Sequence, residues 1–209
     1  MIKLFKIAIA LIFTTFTLNA TEPHKVLTFN FKTIDGKNIT VKEKKNGLDF
    51  VNFRGKAVLL EFWGTHCPPC LYSIEHYKKL ISEYKGKLEM VAIEVQMTPK
   101  DELIKFAKAK NMNYNVVTQK DAGFFVNYVA QRAQWRGAIP FLIALDKDGN
   151  ILDIKKGYLP ENYVKQLVEI GIKGANSIAK EAKKTEQNST KDSNKTIAIN
   201  KATDTNKTK

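Results

Sequence analysis

Apolar and polar residues alternate along "HKVLTFNFKTIDGKNITV", residues 24–41, on both sides of the turn "DGKN". That period predicts an antiparallel hairpin. The pattern then changes. "GKAVLLEFW", residues 55–63, is an almost unbroken apolar run, as in a strand covered on both faces. In "PPCLYSIEHYKKLISEYKG", residues 68–86, Leu71, Ile74, Tyr77, Leu80, Ile81 and Tyr84 fall at helical spacing, and Gly86 is a plausible stop. "KLEMVAIEVQ" predicts a second buried strand, and "TPKDELIKFAKAKN" a helix opened by a capping threonine and a proline. "YNVVT" predicts a short strand and "KDAGFFVNYVA" a helix. "IPFLIALDKDGNILDIKKGY" reads as a hairpin around "DKDGN". "LPENYVKQLVEIGIKG" is a last helix, with Tyr163, Leu167 and Ile170 on one face and Gly171 or Gly174 near its end. Alternating strands and helices with right-handed crossovers give a parallel core, to which the last hairpin adds an antiparallel edge. The expected class is α/β, a three-layer sandwich with an N-terminal hairpin.

The two ends differ from this middle. Residues 1–20 read as a secretory signal, with Lys3 and Lys6 ahead of the apolar run from Ile7 to Phe13, and Ala20 suited to cleavage before Thr21. An uncleaved anchor is the alternative, although the run is short for a membrane span. No cysteine lies near this end for lipid attachment. Residues 174–209 contain no aromatic side chain and are rich in Lys, Thr and Asn, a composition expected to stay disordered. Between these ends one domain, 21–173, is long enough to bury a core. The chain carries a net charge of +13, but the leader and the lysine-rich tail hold part of it. The remaining lysines are scattered. No basic stripe with interleaved aromatics appears, which argues against nucleic acid as a partner.

The only two cysteines are Cys67 and Cys70, in "FWGTHCPPC". A structural disulfide between them would close a very short loop, where loop-closure stabilisation is least. A structural zinc site needs four ligands, and no second CxxC or HxxxH accompanies this pair, so no metal is expected. Covalent haem attachment would need His after the second cysteine, where Leu71 stands. Redox chemistry fits the pattern better. A buried strand ends at Trp63, a turn follows, and a helix opens at the cysteines, where unpaired N–H groups and the helix dipole favour a thiolate. Cys67, expected to stay exposed at the turn, is the candidate nucleophile. Cys70, one turn further in, is the candidate resolving thiol. A peroxidase is disfavoured because no cysteine stands apart from the pair.

"FWGTHCPPC" after a hydrophobic strand, followed by "GAIPFLIALDKDGNIL" from Gly137, resembles the thioredoxin superfamily. The similarity is to its exported TlpA/ResA-like branch, which includes the reductants of cytochrome c maturation. It covers about residues 25–172 and implies a thioredoxin fold with a central helix-strand insertion at about 98–117. It implies that Cys67 and Cys70 are the active dithiol and that no cofactor is bound. Pro140 matches the family's cis-proline, and Ile139 before it the backbone that pairs with substrate. A trans proline merely starting an edge strand is the alternative. Trp63 and His66 flank the dithiol as further substrate-contact candidates. Glu61, in "EFW", matches the buried acid of thioredoxins and would lie under the dithiol to exchange a proton with Cys70. An ion pair of Glu61 with Lys56 or Lys155 is the alternative. The chain departs from the branch at Gln96 and Met97, where an acid is usual, and at His66, where an aromatic or small residue is usual.

Neither Pro68 nor Pro69 supplies an N–H at the helix start. A less stabilised Cys67 thiolate makes the couple more reducing. The expected activity is therefore that of a periplasmic thiol-disulfide reductase. It would act on protein thiols or disulfides, apocytochrome c among them, and be served by a membrane electron donor as a monomer. A disulfide-introducing oxidase is the alternative in the opposite direction, and a redox-inert chaperone or binding module the alternative of another class. In the tail, "EQNST", "DSNKT" and "DTNKT" place an acid two positions before Asn188, Asn194 and Asn206. These resemble the extended acceptor of bacterial periplasmic N-glycosylation, and up to three glycans are expected there. A lysine-rich solubilising tail is the plainer alternative.

Overall fold

The computed structural model describes residues 25–174; the leader, the tail beyond 174 and the three acceptor asparagines lie outside the described residues. The chain order is β1 (Thr28–Lys32), β2 (Asn38–Lys44), β3 (Gly47–Phe50), a 3-10 turn (Val51–Phe53), β4 (Ala57–Trp63), α1 (Pro68–Glu83), β5 (Leu88–Glu94), α2 (Lys100–Ala109), β6 (Asn115–Thr118), α3 (Gln119–Arg132), β7 (Phe141–Leu145), β8 (Ile151–Lys156) and α4 (Glu161–Lys173).

The middle layer is a five-stranded sheet in the order β6-β5-β4-β7-β8. The strands β4, β5 and β6 are parallel, and the β7–β8 hairpin runs antiparallel beside β4. β4 sits at the centre, and all seven of its residues are buried. This is why its sequence shows no alternation: both faces need apolar cover. Leu59 and Trp63 face a core shared with α1, α2 and α4. Val58, Leu60 and Phe62 face a second core shared with α3 and the β1–β3 sheet. Both crossovers, β4 to β5 and β5 to β6, step toward the same edge, and their helices lie on the same face. In the second core Phe125 of α3 meets the rings of Phe29, Phe31 and Phe50 at 5.3, 5.4 and 6.4 Å.

The expected N-terminal hairpin is present and gains a third strand. β3 pairs antiparallel with β2, from Lys44↔Gly47 to Val41↔Phe50. Its four residues contain Gly47 and Asp49, which break any apolar period. It also stitches the two sheets together: Leu48 N–H donates to Gly149 O at 2.9 Å, and Ile151 N–H to Asn46 O at 3.0 Å. A Cβ at Gly47 would lie 2.0 Å from Gly149 O, so only glycine permits this approach.

Two local expectations are corrected. Thr98 does not cap α2: Pro99 holds the N-cap position without a side-chain bond, and the Thr98 hydroxyl donates to Glu94 instead. The buried face of α4 is Val164, Leu167, Val168 and Gly171, while Ile170 is 37% exposed. Gly171 sets that face, because a Cβ there would stand 3.0 Å from the Ala57 side chain of β4. Among the described residues no helix is long and apolar enough to cross a membrane.

Candidate active site

The C-terminal end of β4 delivers the chain to Gly64, Thr65 and His66, and α1 begins at Pro68. Cys67 is the N-cap of α1, in extended conformation, and Cys70 lies in the first turn. The two are joined as a disulfide, with a Cα–Cα separation of 5.3 Å. Pro68 and Pro69 occupy the first helical positions, so the nearest backbone donor to Cys67 is Cys70 N–H, 3.4 Å from the Cys67 sulfur. Cys70 is 1% exposed and Cys67 only 6%. The expectation of an exposed Cys67 is thus corrected: in the disulfide state both residues are buried, Cys67 slightly less so.

Pro140 enters from the neighbouring strand. Phe62 pairs with Phe141 across β4 and β7. Continuing that register places Pro140 opposite Trp63 and Ile139 opposite Gly64, three residues before Cys67. The Ile139–Pro140 bond is cis. Ile139 is half-buried and Pro140 buried. Trp135, which sequence reasoning missed, secures this segment. Its ring stacks on Phe141 at 5.1 Å, and its indole N–H donates to Ala138 O at 2.6 Å. An isolated tryptophan between two predicted elements carried no periodic signal.

Trp63 is not at the surface. It is 1% exposed, packs on Phe106 at 5.7 Å, and lies in the core shared with Cys67 and Cys70. Its expected substrate contact is corrected: Trp63 is a core residue that shares its cluster with both cysteines. His66 is exposed, with Nδ1 3.0 Å from the Thr65 hydroxyl.

Glu61 is 3% exposed, on the same face of β4 as Trp63. The alternative ion pairs do not form: Lys56 pairs with Glu89 at 2.6 Å and Lys155 with Asp153 at 3.2 Å. Its partner is Tyr77 of α1, whose hydroxyl donates to Glu61 Oε1 at 3.0 Å. Burial outweighs the Tyr77 hydrogen bond, which favours the carboxylate, and leaves the Glu61 carboxyl raised to about 8. Tyr77 was legible only as one apolar-face residue of the helix; its polar role carried no sequence signal.

A second buried acid holds the turn from the other side. Glu94, at the end of β5, is fully buried and accepts from Gln96 N–H, Thr98 N–H and the Thr98 hydroxyl at 2.9, 3.0 and 2.9 Å. This fixes the loop that presents Gln96, whose Oε1 accepts His66 N–H at 2.8 Å. A Cβ at Gly64 would stand 2.2 Å from that same side chain. Gln96 is flexible, so Gly64→Ala is expected to fold but to displace it and free the turn before Cys67. Stopped-flow exchange with a small disulfide should slow about tenfold, as for a reacting group held off its geometry, with little change in melting temperature. Among the described residues no group of three or more His, Cys, Asp or Glu side chains converges to hold a metal ion.

The AhpC/TSA family matches residues 24–154 of this chain, which span the N-terminal sheet, the dithiol and Pro140. The chain belongs to the AhpC/TSA family. Within that family it is similar to the thiol-disulfide oxidoreductase ResA of Halalkalibacterium halodurans, 25% identical over 147 residues that cover 70% of this chain and 74% of the relative. ResA of Bacillus thuringiensis is 32% identical over 130 residues, 59% of this chain and 63% of that one. Among solved structures, a thioredoxin-family thiol:disulfide interchange protein from Chlorobium tepidum superposes with a TM-score of 0.57 at 20% identity, covering 69% of this chain and 93% of its own. StoA of Bacillus subtilis gives 0.52 at 19% identity, with coverage of 68% and 96%. These two establish the thioredoxin fold. With the CxxC pair in place, this AhpC/TSA member is a thiol-disulfide oxidoreductase.

Proposed function

We propose that this oxidoreductase works in the periplasm as a reductase of protein disulfides, of the kind used in cytochrome c maturation. Its substrates are protein thiols or disulfides. The observation that carries the direction is the donor-poor start of α1. Cys67 caps a helix whose first two residues are prolines, and Cys70 N–H is the backbone donor facing its sulfur. Fewer donors leave the thiolate less stabilised, which raises the free energy of the reduced form and makes the couple more reducing. The compartment is supported by the leader pattern at residues 1–20, and an uncleaved leader would tether the same domain to the membrane.

In the reductive half-cycle the Cys67 thiolate attacks one sulfur of the substrate disulfide. That bond breaks, a mixed disulfide forms, and the departing substrate thiolate takes a proton from water. The Cys70 thiol then gives its proton to the Glu61 carboxylate and attacks the Cys67 sulfur, releasing the second substrate thiolate. Two electrons have passed from the dithiol to the substrate. A membrane-bound dithiol donor restores the pair by the reverse sequence, with Glu61 returning the proton to Cys70. Ile139 and Pro140 would line the incoming peptide, with His66 at the rim. Apocytochrome c fits as substrate because its thiols must be reduced before haem attaches, and a monomer suffices for each step.

The reduction potential of the Cys67/Cys70 pair, read by tryptophan fluorescence in defined thiol buffers, tests the direction. A value near that of thioredoxin, about −270 mV, is expected. A value near the strong-oxidant end, about −120 mV, would overturn the proline argument and make the protein an oxidase.

A further inference from the structure

The face of α1 that carries Cys70 also carries two buried hydroxyls. Cys70, Ser73 and Tyr77 are all buried, at spacings of three and four residues, so they lie above one another on the helix. Helical side chains lean toward the N-terminus. The Tyr77 side chain therefore leans back along this face in the direction of Cys70, while the Ser73 hydroxyl donates to Pro69 O at 3.3 Å. Glu61 comes to the same place from the sheet, and its carboxyl ends on Tyr77 rather than on a cation.

We propose that Tyr77 is a positioning residue for proton exchange in this site, its hydroxyl holding the Glu61 carboxyl against the buried face of α1 on which Cys70 lies. The inference rests on the proton role given to Glu61 above and adds the group that sets where and when that role operates.

The surroundings leave this task to Tyr77. In the sheet Glu61 is flanked by Ala92 of β5 and Leu142 of β7. The core residues that α2 and α4 contribute on this side, Leu103 and Ala107, Val164, Leu167 and Val168, are apolar. The charged side chains Glu161 and Lys165 of α4 pair with Lys79 and Glu83 at the rim. The other titratable group nearby is Tyr114, whose ring meets Tyr77 edge-on at 6.4 Å and whose buried hydroxyl has no hydrogen-bond partner. Burial holds both phenols well above their ordinary range, so neither ionises near neutrality. Tyr77 thus acts as a donor to Glu61, favouring the carboxylate against the burial that opposes it.

A hydrogen bond to a charged group is worth enough to move a carboxyl by about one pH unit. In Tyr77→Phe the Glu61 carboxyl, followed by carbon NMR of labelled glutamate in the oxidised protein, should titrate about one unit higher than in the wild type. Single-turnover exchange with a peptide disulfide should slow about tenfold at pH 7 and recover as the pH rises by one unit. Site-specific Tyr77→3-fluorotyrosine, a stronger donor that keeps the ring, should move both readouts the opposite way and serves if the phenylalanine variant does not fold. A merely structural role would lower the melting temperature and leave the titration and the pH profile in place, which would overturn the inference. Glu61→Gln separates the two readings. If it retains the wild-type pH profile, the proton role of Glu61 itself fails. If it loses that profile while neither change at Tyr77 moves it, only the assignment of Tyr77 fails.

Discussion

Cys67→Ser is expected to bring insulin-disulfide reduction down to the uncatalysed background while shifting the melting temperature by only a few degrees. The thiolate is the nucleophile in disulfide exchange, and a serine hydroxyl is not ionised at neutral pH. The one thiol left in the 209 residues is Cys70, which is 1% exposed and stands a turn inside the helix, out of reach of a substrate disulfide. The fold tolerates the change because the lost bridge spans a sequence separation of three. A loop that short contributes least through chain entropy. The N-cap geometry survives as well, since serine is a good N-cap residue. Cys70→Ser should behave differently. Its Cys67 thiolate still attacks, but no resolving thiol follows, so a mixed disulfide with the substrate protein accumulates and can be read by intact mass. Insulin reduction by Cys67→Ser at the wild-type rate would remove Cys67 as the nucleophile, whereas no insulin reduction by the wild type would leave a binding or chaperone module on this fold.

Sequence pattern carried the architecture well where burial has a period or a run. β4 was legible because a central strand must be apolar on both faces, and all seven residues from Ala57 to Trp63 are buried. The β1–β2 and β7–β8 hairpins were legible from their turns. β3 was not: its place depends on a contact between Gly47 and Gly149, which lie far apart in sequence. The helix α4 shows how a period can be found and its face misjudged. Tyr163, Leu167 and Ile170 are apolar at helical spacing, but the packed stripe runs through Val164, Val168 and Gly171, because a glycine lets the helix backbone approach β4. At the site, the cysteines, Pro140 and Glu61 were all legible by position. Their accessibility was not: Trp63 and Cys67 are covered by tertiary packing that no local pattern reports. The polar partners Tyr77, Gln96 and Trp135 were illegible for one reason. Each acts through a hydrogen bond, Tyr77 with Glu61 of β4, Gln96 with the His66 backbone N–H and Trp135 with the Ala138 carbonyl, and a bond of that kind leaves no period in the chain.

Glu61→Gln is expected to make the oxidised protein more stable and, in the same variant, slower in exchange. The carboxyl has an ordinary value of 4.5 and is raised to about 8 by burial beneath α1. A raised acid prefers its protonated form in the folded state. Its stabilising contribution is therefore fully present below pH 4.5 and is lost as the pH climbs through about 8. At neutral pH much of that loss is already incurred, on the order of 2–4 kcal/mol. A glutamine of the same shape can still accept the Tyr77 hydroxyl, and it carries no charge to desolvate. Denaturant unfolding from pH 5 to pH 9 should show wild-type stability falling with pH and the variant nearly flat, with the gap widest at the alkaline end. Wild-type stability that holds level over that range would mean the carboxyl is not perturbed, and would withdraw both the gain and the proton role. The expected trade has a physical cause. A carboxylate in an apolar core destabilises the fold, and the same burial tunes the group to accept a proton from Cys70 and return it near neutral pH.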